Sequence, residues 1–356
     1  MTTRKFHRTI VPLSLLAATT GWSQDSGLQM KAEPPIWRAN LGYRAGFNLK
    51  PGFKNVGSYA AATDPGTDSA KSNHTYDDGY NLLDSSGNNH FGTPATIVWG
   101  YLHDGQYDPT GNGGQGTIAM HSSSSTGASS GSHDADLTSG MELSFTCEIE
   151  QNQHWNWGLE AAFNYTGLSI TDSRNLAGNT TRLTDIYQLN GVVPAAAPYY
   201  GSEASPGAYL GDLPTRSYAV YDLPVTGSRK LDADLFGFRF GPYLELPITK
   251  KLSLTLNAGL AVAIVNSEYS FDQYITTPDS GTFHAAGSHS NTDVLLGGYI
   301  GANLVLRFSD HWSAFGGAQW QDVGSYTNDP RVTGAGAATL DLQNAIFVSV
   351  GVGYTF

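Results

Sequence analysis

Apolar and polar residues alternate with a period of two along several stretches of this chain, the mark of strands with one apolar and one polar face. From Trp37 to Leu49, the set Trp37, Ala39, Leu41, Tyr43, Ala45, Phe47 and Leu49 points one way, and Arg38, Asn40, Gly42, Arg44, Gly46 and Asn48 point the other. The pattern recurs over 141–150, 155–167, 236–246 and 252–264. Segments at about 294–308 and 312–322 and the C-terminal run 342–356 bring the predicted strands to eight. An unbroken alternation of thirteen residues, as in 37–49, is about the length that crosses a bilayer as a tilted strand.

The joins at about 151–154, 247–251 and 309–311 are short, and those at about 50–138, 170–231, 268–292 and 323–340 are long. Short and long joins alternate, as they do in an outer-membrane barrel with tight periplasmic turns, long extracellular loops and an even strand count. The expected fold is all-β: a transmembrane antiparallel up-and-down barrel of eight strands, or ten or twelve if hairpins such as 93–121 or 182–221 join the wall. The rival is a lipocalin-like barrel with a dry interior. The polar face opposes it, being mostly Gly, Ser, Thr, Asn and Ala, where a watered surface would carry Lys and Glu in quantity. The apolar face also places Trp37, Trp155, Trp157 and Trp312 near the short-turn side, where an aromatic girdle meets the membrane interface.

Composition agrees. Charged residues are 14% of 356, Gly contributes 42, and the formal charge is −12. No run of 18 apolar residues offers a membrane-crossing helix. At the start, Arg4, Lys5 and Arg8 precede an apolar stretch from Ile10 to Ala18, and Gly21 and Ser23 suit a cleavage site before Gln24. Residues 1–23 are thus read as an export signal and 24–356 as the barrel domain. Loss of the three basic residues takes the charge from −12 to −15, which disfavours nucleic acid as a partner. Cys147 is the only cysteine, so no intramolecular disulfide forms.

The last eight residues, Ser-Val-Gly-Val-Gly-Tyr-Thr-Phe, resemble the assembly signal of bacterial outer-membrane barrels at Ser349, Gly351, Tyr354 and Phe356. The resemblance, to small barrels of the eight-stranded kind, implies recognition by the barrel-assembly machinery and residence in outer-membrane lipid. Its motif covers the final strand alone and assigns no function.

The polar face sends Arg38, Arg44, Arg239 and Arg307 inward with Glu142, Glu148, Glu150, Glu160 and Glu245. Such charges should pair, because an unpaired buried charge is costly, and an eight-stranded barrel is about narrow enough for side chains to fill. The function expected is a membrane-embedded scaffold or surface-interaction protein with a filled lumen. The alternative is a narrow porin-like channel or carrier for small solutes. Third comes a lipid-acting enzyme at the rim, as the resemblance allows, with Ser267, Ser270, His284, Ser288, His289 and Ser290 in or near one long join. Spacing selects no nucleophile or base among them, so no catalytic residue, cofactor or metal ligand is assigned. The Gly/Ser-rich stretch 111–133 is expected to be flexible, and the run Val192–Tyr200 to cap the barrel mouth or lie on the membrane.

Overall fold

The computed structural model describes residues 36–130, 138–152, 154–279 and 281–356; residues 1–23, expected to be an export signal, lie outside them. Eight strands form the wall: β1 (Trp37–Phe47), β2 (Thr138–Gln151), β3 (Asn156–Asp172), β4 (Thr215–Pro247), β5 (Leu252–Thr277), β6 (Gly281–Arg307), β7 (Trp312–Asp322) and β8 (Ala345–Thr355). Each pairs antiparallel with its neighbour, and β8 returns to β1. The ring belongs to a larger sheet of fourteen strands. Thr117–Ser130 and Leu176–Gln188 join that sheet above the ring, where Leu176–Ile186 continues the line of β3 along the upper part of β4.

The outer surface of the ring is apolar. Leu260 is 71% and Leu296 75% exposed, and Phe238, Phe240, Ile300 and Val350 stand out beside them. The thirteen residues from Leu252 to Ile264, at about 3.4 Å each and tilted about 40°, give an apolar band about 30 Å tall.

Above the row Tyr165, Phe236, Ile264 and Val294 the polarity of the strands inverts. Higher on the same strands the outward residues are polar (Ser169, Asp232, Asp234, Asn266, Glu268), while Leu168, Leu231, Leu235, Val265, Tyr269 and Phe271 point inward and are buried. The strands have left lipid for water, and their apolar face turns from the outside to the core. This explains why the predicted ends fell short. The span 268–292, expected as a long loop, is wall strand on both sides of a turn at Pro278 and Asp279. Strand β4 begins at Thr215 rather than about 236.

Four local expectations are corrected. Asn48 adopts φ 58°, a left-handed conformation Asn tolerates, and ends β1. Leu49 therefore turns into the core instead of facing lipid. A β-bulge between Glu148 and Glu150 shifts the register, so Glu150 leaves the lumen face and accepts a hydrogen bond from Trp157 Nε1 at 3.1 Å outside. Trp155 lies in the turn before β3, its carbonyl accepting from Asn152 N–H at 2.9 Å. The serine run Ser122–Ser125 is strand, not flexible linker, because its small side chains fit between packed layers: Ser122, Ser123 and Ser125 are buried.

The seam between β1 and β8 depends on Gly42 opposite Gly351. A Cβ on Gly42 would stand 2.8 Å from Phe315 Cζ, and one on Gly351 would meet the Leu41 carbonyl oxygen and stand 2.5 Å from Gly42 Cα. Gly351→Val is expected to destabilise the barrel by about 1–3 kcal/mol. In gel mobility before and after heating, the folded band should disappear at a lower temperature than in wild type; unchanged thermal resistance would count against this seam.

Candidate functional site

The lower lumen holds a charge lattice built from alternate residues of seven strands. Arg44 pairs with Glu142 at 2.5 Å, and Arg239 reaches Glu142 at 2.8 Å and Glu160 at 3.7 Å. Asn257 Nδ2 donates to both Glu160 oxygens at 3.0 and 3.1 Å, and Gln319 and Gln321 accept from Arg44. The Arg44 guanidinium lies 3.8 Å over the Phe347 ring and that of Arg239 lies 5.0 Å over Tyr299. Nearer the periplasmic end, Glu245 takes Arg38 at 3.3 Å, Arg307 beside it, and the Ser253 hydroxyl at 2.6 Å. Glu148 is buried at the same level. With Glu150 outside, the lumen set is four arginines and four glutamates, which balances the charge.

Above this lattice the lumen is closed a second time, by hydrocarbon. Leu49, Phe53, Val56, Val265, Tyr269, Phe271, Val323, Leu340 and Leu342 form one buried cluster. Phe53 and Tyr269 have ring centroids 5.7 Å apart. Tyr269 OH donates to the Ala335 carbonyl at 2.7 Å, and Gln273 Nε2 donates to Gly334 and Ala335 carbonyls at 2.9 Å, which ties the strap 329–336 over the top. Small cavities lie among the described residues, about 30 Å³ beside Arg38, Glu142 and Tyr243 and about 20 Å³ beside Asn164, Leu235 and Phe347. Each has room for about one water. The apolar plug was not foreseen from the sequence. Its trace there is the apolar set Ala338, Leu340 and Leu342 at spacing two, the first two in a span taken for loop and Leu342 at the start of the run taken for the last strand.

Outside the wall, residues of the two longest joins build a head with its own core of Tyr76, Trp99, Tyr101, Ile118, Met120, Tyr187 and Leu210. The run Val192–Tyr200 packs on this core through Val192, Ala197 and Tyr199, not over the barrel mouth. Loop carboxylates organise the backbone: Asp108 accepts from Thr110 N–H at 2.8 Å, and Asp104 from Ala197 N–H at 2.9 Å. Burial pushes Asp84 up, but hydrogen bonds from the Ser86 hydroxyl, His90 and the Asn88 and Ser86 N–H groups outweigh it and hold the carboxyl well below its usual range. Asp172, at the outer end of β3, is held down to about 2, chiefly by the Arg174 side chain, against the opposing effect of burial.

Of the Ser and His residues considered for catalysis, Ser267, His284 and His289 are hydrogen-bonded to other side chains. Ser267 bonds Tyr326 OH at 2.8 Å and Asn328 Nδ2 at 2.9 Å. His289 Nδ1 meets Asn328 Oδ1 at 2.8 Å, and His284 Nε2 meets Asp272 at 2.7 Å. Of the predicted girdle, Trp37 and Trp312 are exposed at the short-turn end, where Trp312 meets Tyr354 at 5.1 Å and Tyr354 meets Phe356 at 5.2 Å.

An apolar exterior around a charged interior inverts the arrangement of a soluble protein. With a ring that satisfies the backbone internally, it defines an integral β-barrel of the bacterial outer membrane. Neither a family model nor a curated protein sequence matches the chain. Similar solved structures include Ail of Yersinia pestis, crystallised with the heparin analogue sucrose octasulfate (10% identity over 91% of this chain and 100% of that one, TM-score 0.31). OprG of Pseudomonas aeruginosa (10%, 91% and 96%, TM-score 0.34) and the protease OmpT of Escherichia coli (10%, 91% and 97%, TM-score 0.32) are others. At these identities and scores the likenesses decide nothing about this chain's activity.

Removing Glu142 leaves Arg44 and Arg239 buried without their shared partner. Glu142→Ala is expected to cost about 3–5 kcal/mol, read from urea unfolding in lipid vesicles, whereas Glu150→Ala should stay within about 0.5 kcal/mol. Equal costs would show that the lattice is not stabilising. In the head, depressed carboxyls contribute stability that is present above their unfolded pKa of about 3.9 and lost as pH falls through the folded value. Trp99 fluorescence should therefore report loosening of the head below about pH 4, and Asp84→Asn should flatten that dependence. A wild-type signal unchanged down to pH 2 would contradict the assignment.

Proposed function

We propose that the chain is an eight-stranded outer-membrane barrel with a closed lumen, acting as a membrane-embedded scaffold that presents its extracellular head for surface interaction. One observation carries this: the lumen is filled twice, by Arg–Glu pairs at membrane level and by an apolar cluster above them, while the wall strands rise beyond the lipid to support the head. A porin-like channel would need a continuous polar path, and the apolar plug opposes it. Ser349, Gly351 and Tyr354 on β8 and Phe356 just after it serve as the signal to the barrel-assembly machinery, and outer-membrane lipid surrounds the band.

The test is single-channel recording in a planar bilayer, with folding verified by heat-dependent gel mobility. Folded, inserted protein is expected to stay silent. Discrete, reproducible open steps would overturn the closed-lumen reading and make Arg38, Arg44, Glu148 and Arg239 channel-wall residues.

A further inference from the structure

Among the described residues, two of the places where an upper wall strand loses a neighbour are treated differently. Above β7, the free edge of β6 is covered by Ser325–Asn328, whose side chains engage its backbone. Tyr326 OH donates to the Asn291 carbonyl at 3.1 Å and Asn328 Nδ2 to the His289 carbonyl at 3.0 Å. In the other direction, Asn291 Nδ2 donates to the Thr327 carbonyl at 3.4 Å.

The second place is the upper part of β4. Pairing with β5 stops at Val225 opposite Ile275, because β5 ends at Thr277. Strand β4 extends ten residues further, Thr215–Pro224, with Leu176–Ile186 along one side. Among the described residues nothing pairs with its other side. Ser217 to Asp222 are exposed on both faces, Tyr218 at 66% and Val220 at 64%. The edge does not fray. Arg216 anchors its upper end through Asp185 at 2.7 and 2.9 Å and the carbonyls of Gly66 at 2.7 Å and Pro65 at 3.1 Å.

Exposed edges normally carry a Lys, a Pro, a bulge or a cover that prevents strand addition. Here Pro214 and Pro224 stand only at the two ends; between them, from Ser217 to Tyr221, the sequence is Ser-Tyr-Ala-Val-Tyr, with none of these and high strand propensity. We propose that Thr215–Leu223 is a docking edge that takes an extended, positively charged segment of another polypeptide as an added antiparallel strand. The proposal rests on the surface-interaction reading and names its partner class. A row of unpaired backbone donors and acceptors is complementary to another extended backbone, and Tyr218 and Val220 offer apolar contact to alternate residues. The charge follows from the chain's own −12, which attracts a basic segment and repels a second copy. Two copies in one membrane also point the same way, so their edges cannot meet antiparallel.

The test uses the full chain in lipid nanodiscs and a labelled probe peptide, Lys-Val-Thr-Val-Lys-Val-Thr-Val-Lys. Saturable binding by fluorescence anisotropy is expected, with slowed hydrogen exchange at amides within 217–223. The peptide with alternate amides N-methylated, and one with Glu in place of Lys, should each bind at least tenfold more weakly. Because neighbouring residues in a strand direct their N–H groups to opposite edges, either Val220→Pro or Tyr221→Pro blocks the open side. That variant should lose binding at least tenfold with unchanged heat-dependent gel mobility. Lack of protection at 217–223, or equal binding by either control peptide, would overturn the proposal. Protection that arises without peptide, when vesicles carrying the protein are mixed, would overturn it in favour of a second copy. A silent protein in the bilayer that ignores the peptide sinks the edge assignment alone; a conducting one sinks the reading beneath it.

Discussion

In hydrocarbon there is no water to take up a free N–H or C=O, so every backbone group at membrane level must find its partner in the wall. The rest of this structure follows from that constraint. It demands that β8 return to β1, and the return is close enough that Gly42 and Gly351 face each other where side chains would collide. Closure then creates a narrow interior, and the interior must be filled or wet. Here it is filled: four arginines and four glutamates neutralise one another, with Asn257, Ser253, Gln319 and Gln321 satisfying further oxygens and protons.

The same strands solve two opposite solvation problems along their length. Below the row of Tyr165, Phe236, Ile264 and Val294 their apolar side faces lipid; above it the apolar side faces a common core and the polar side faces water. No break in the backbone is needed, because alternation with period two survives and only its phase changes. The upper core both stabilises the storey outside the membrane and closes the lumen. The head has a separate aromatic core that includes residues of Thr117–Ser130 and Leu176–Gln188, and Leu176–Ile186 joins it to the extension by pairing with β4. Where the extension outruns its neighbour, at Thr215–Pro224, it leaves the backbone edge open.

The sequence by itself determined the wall. Alternation is a local property, set by which solvent each face meets, so the eight membrane-level segments, the three short turns and the span of β7 from Trp312 to Asp322 could be read directly. The inward sense of Arg38, Arg44, Glu142, Glu160, Arg239 and Glu245 followed from parity along each strand, and burial agrees. Parity is also fragile. One extra residue at the bulge sent Glu150 outside, and one left-handed residue, Asn48, sent Leu49 inside. Only the tertiary structure decided those, and it alone decided that 215–231, 268–277 and 281–292, taken for loop, are strand. Whether an apolar residue faces lipid or core depends on what the fold places behind it. The plug, the head core and the unpaired edge arise from residues far apart in the chain, and periodicity does not say which distant segments pair.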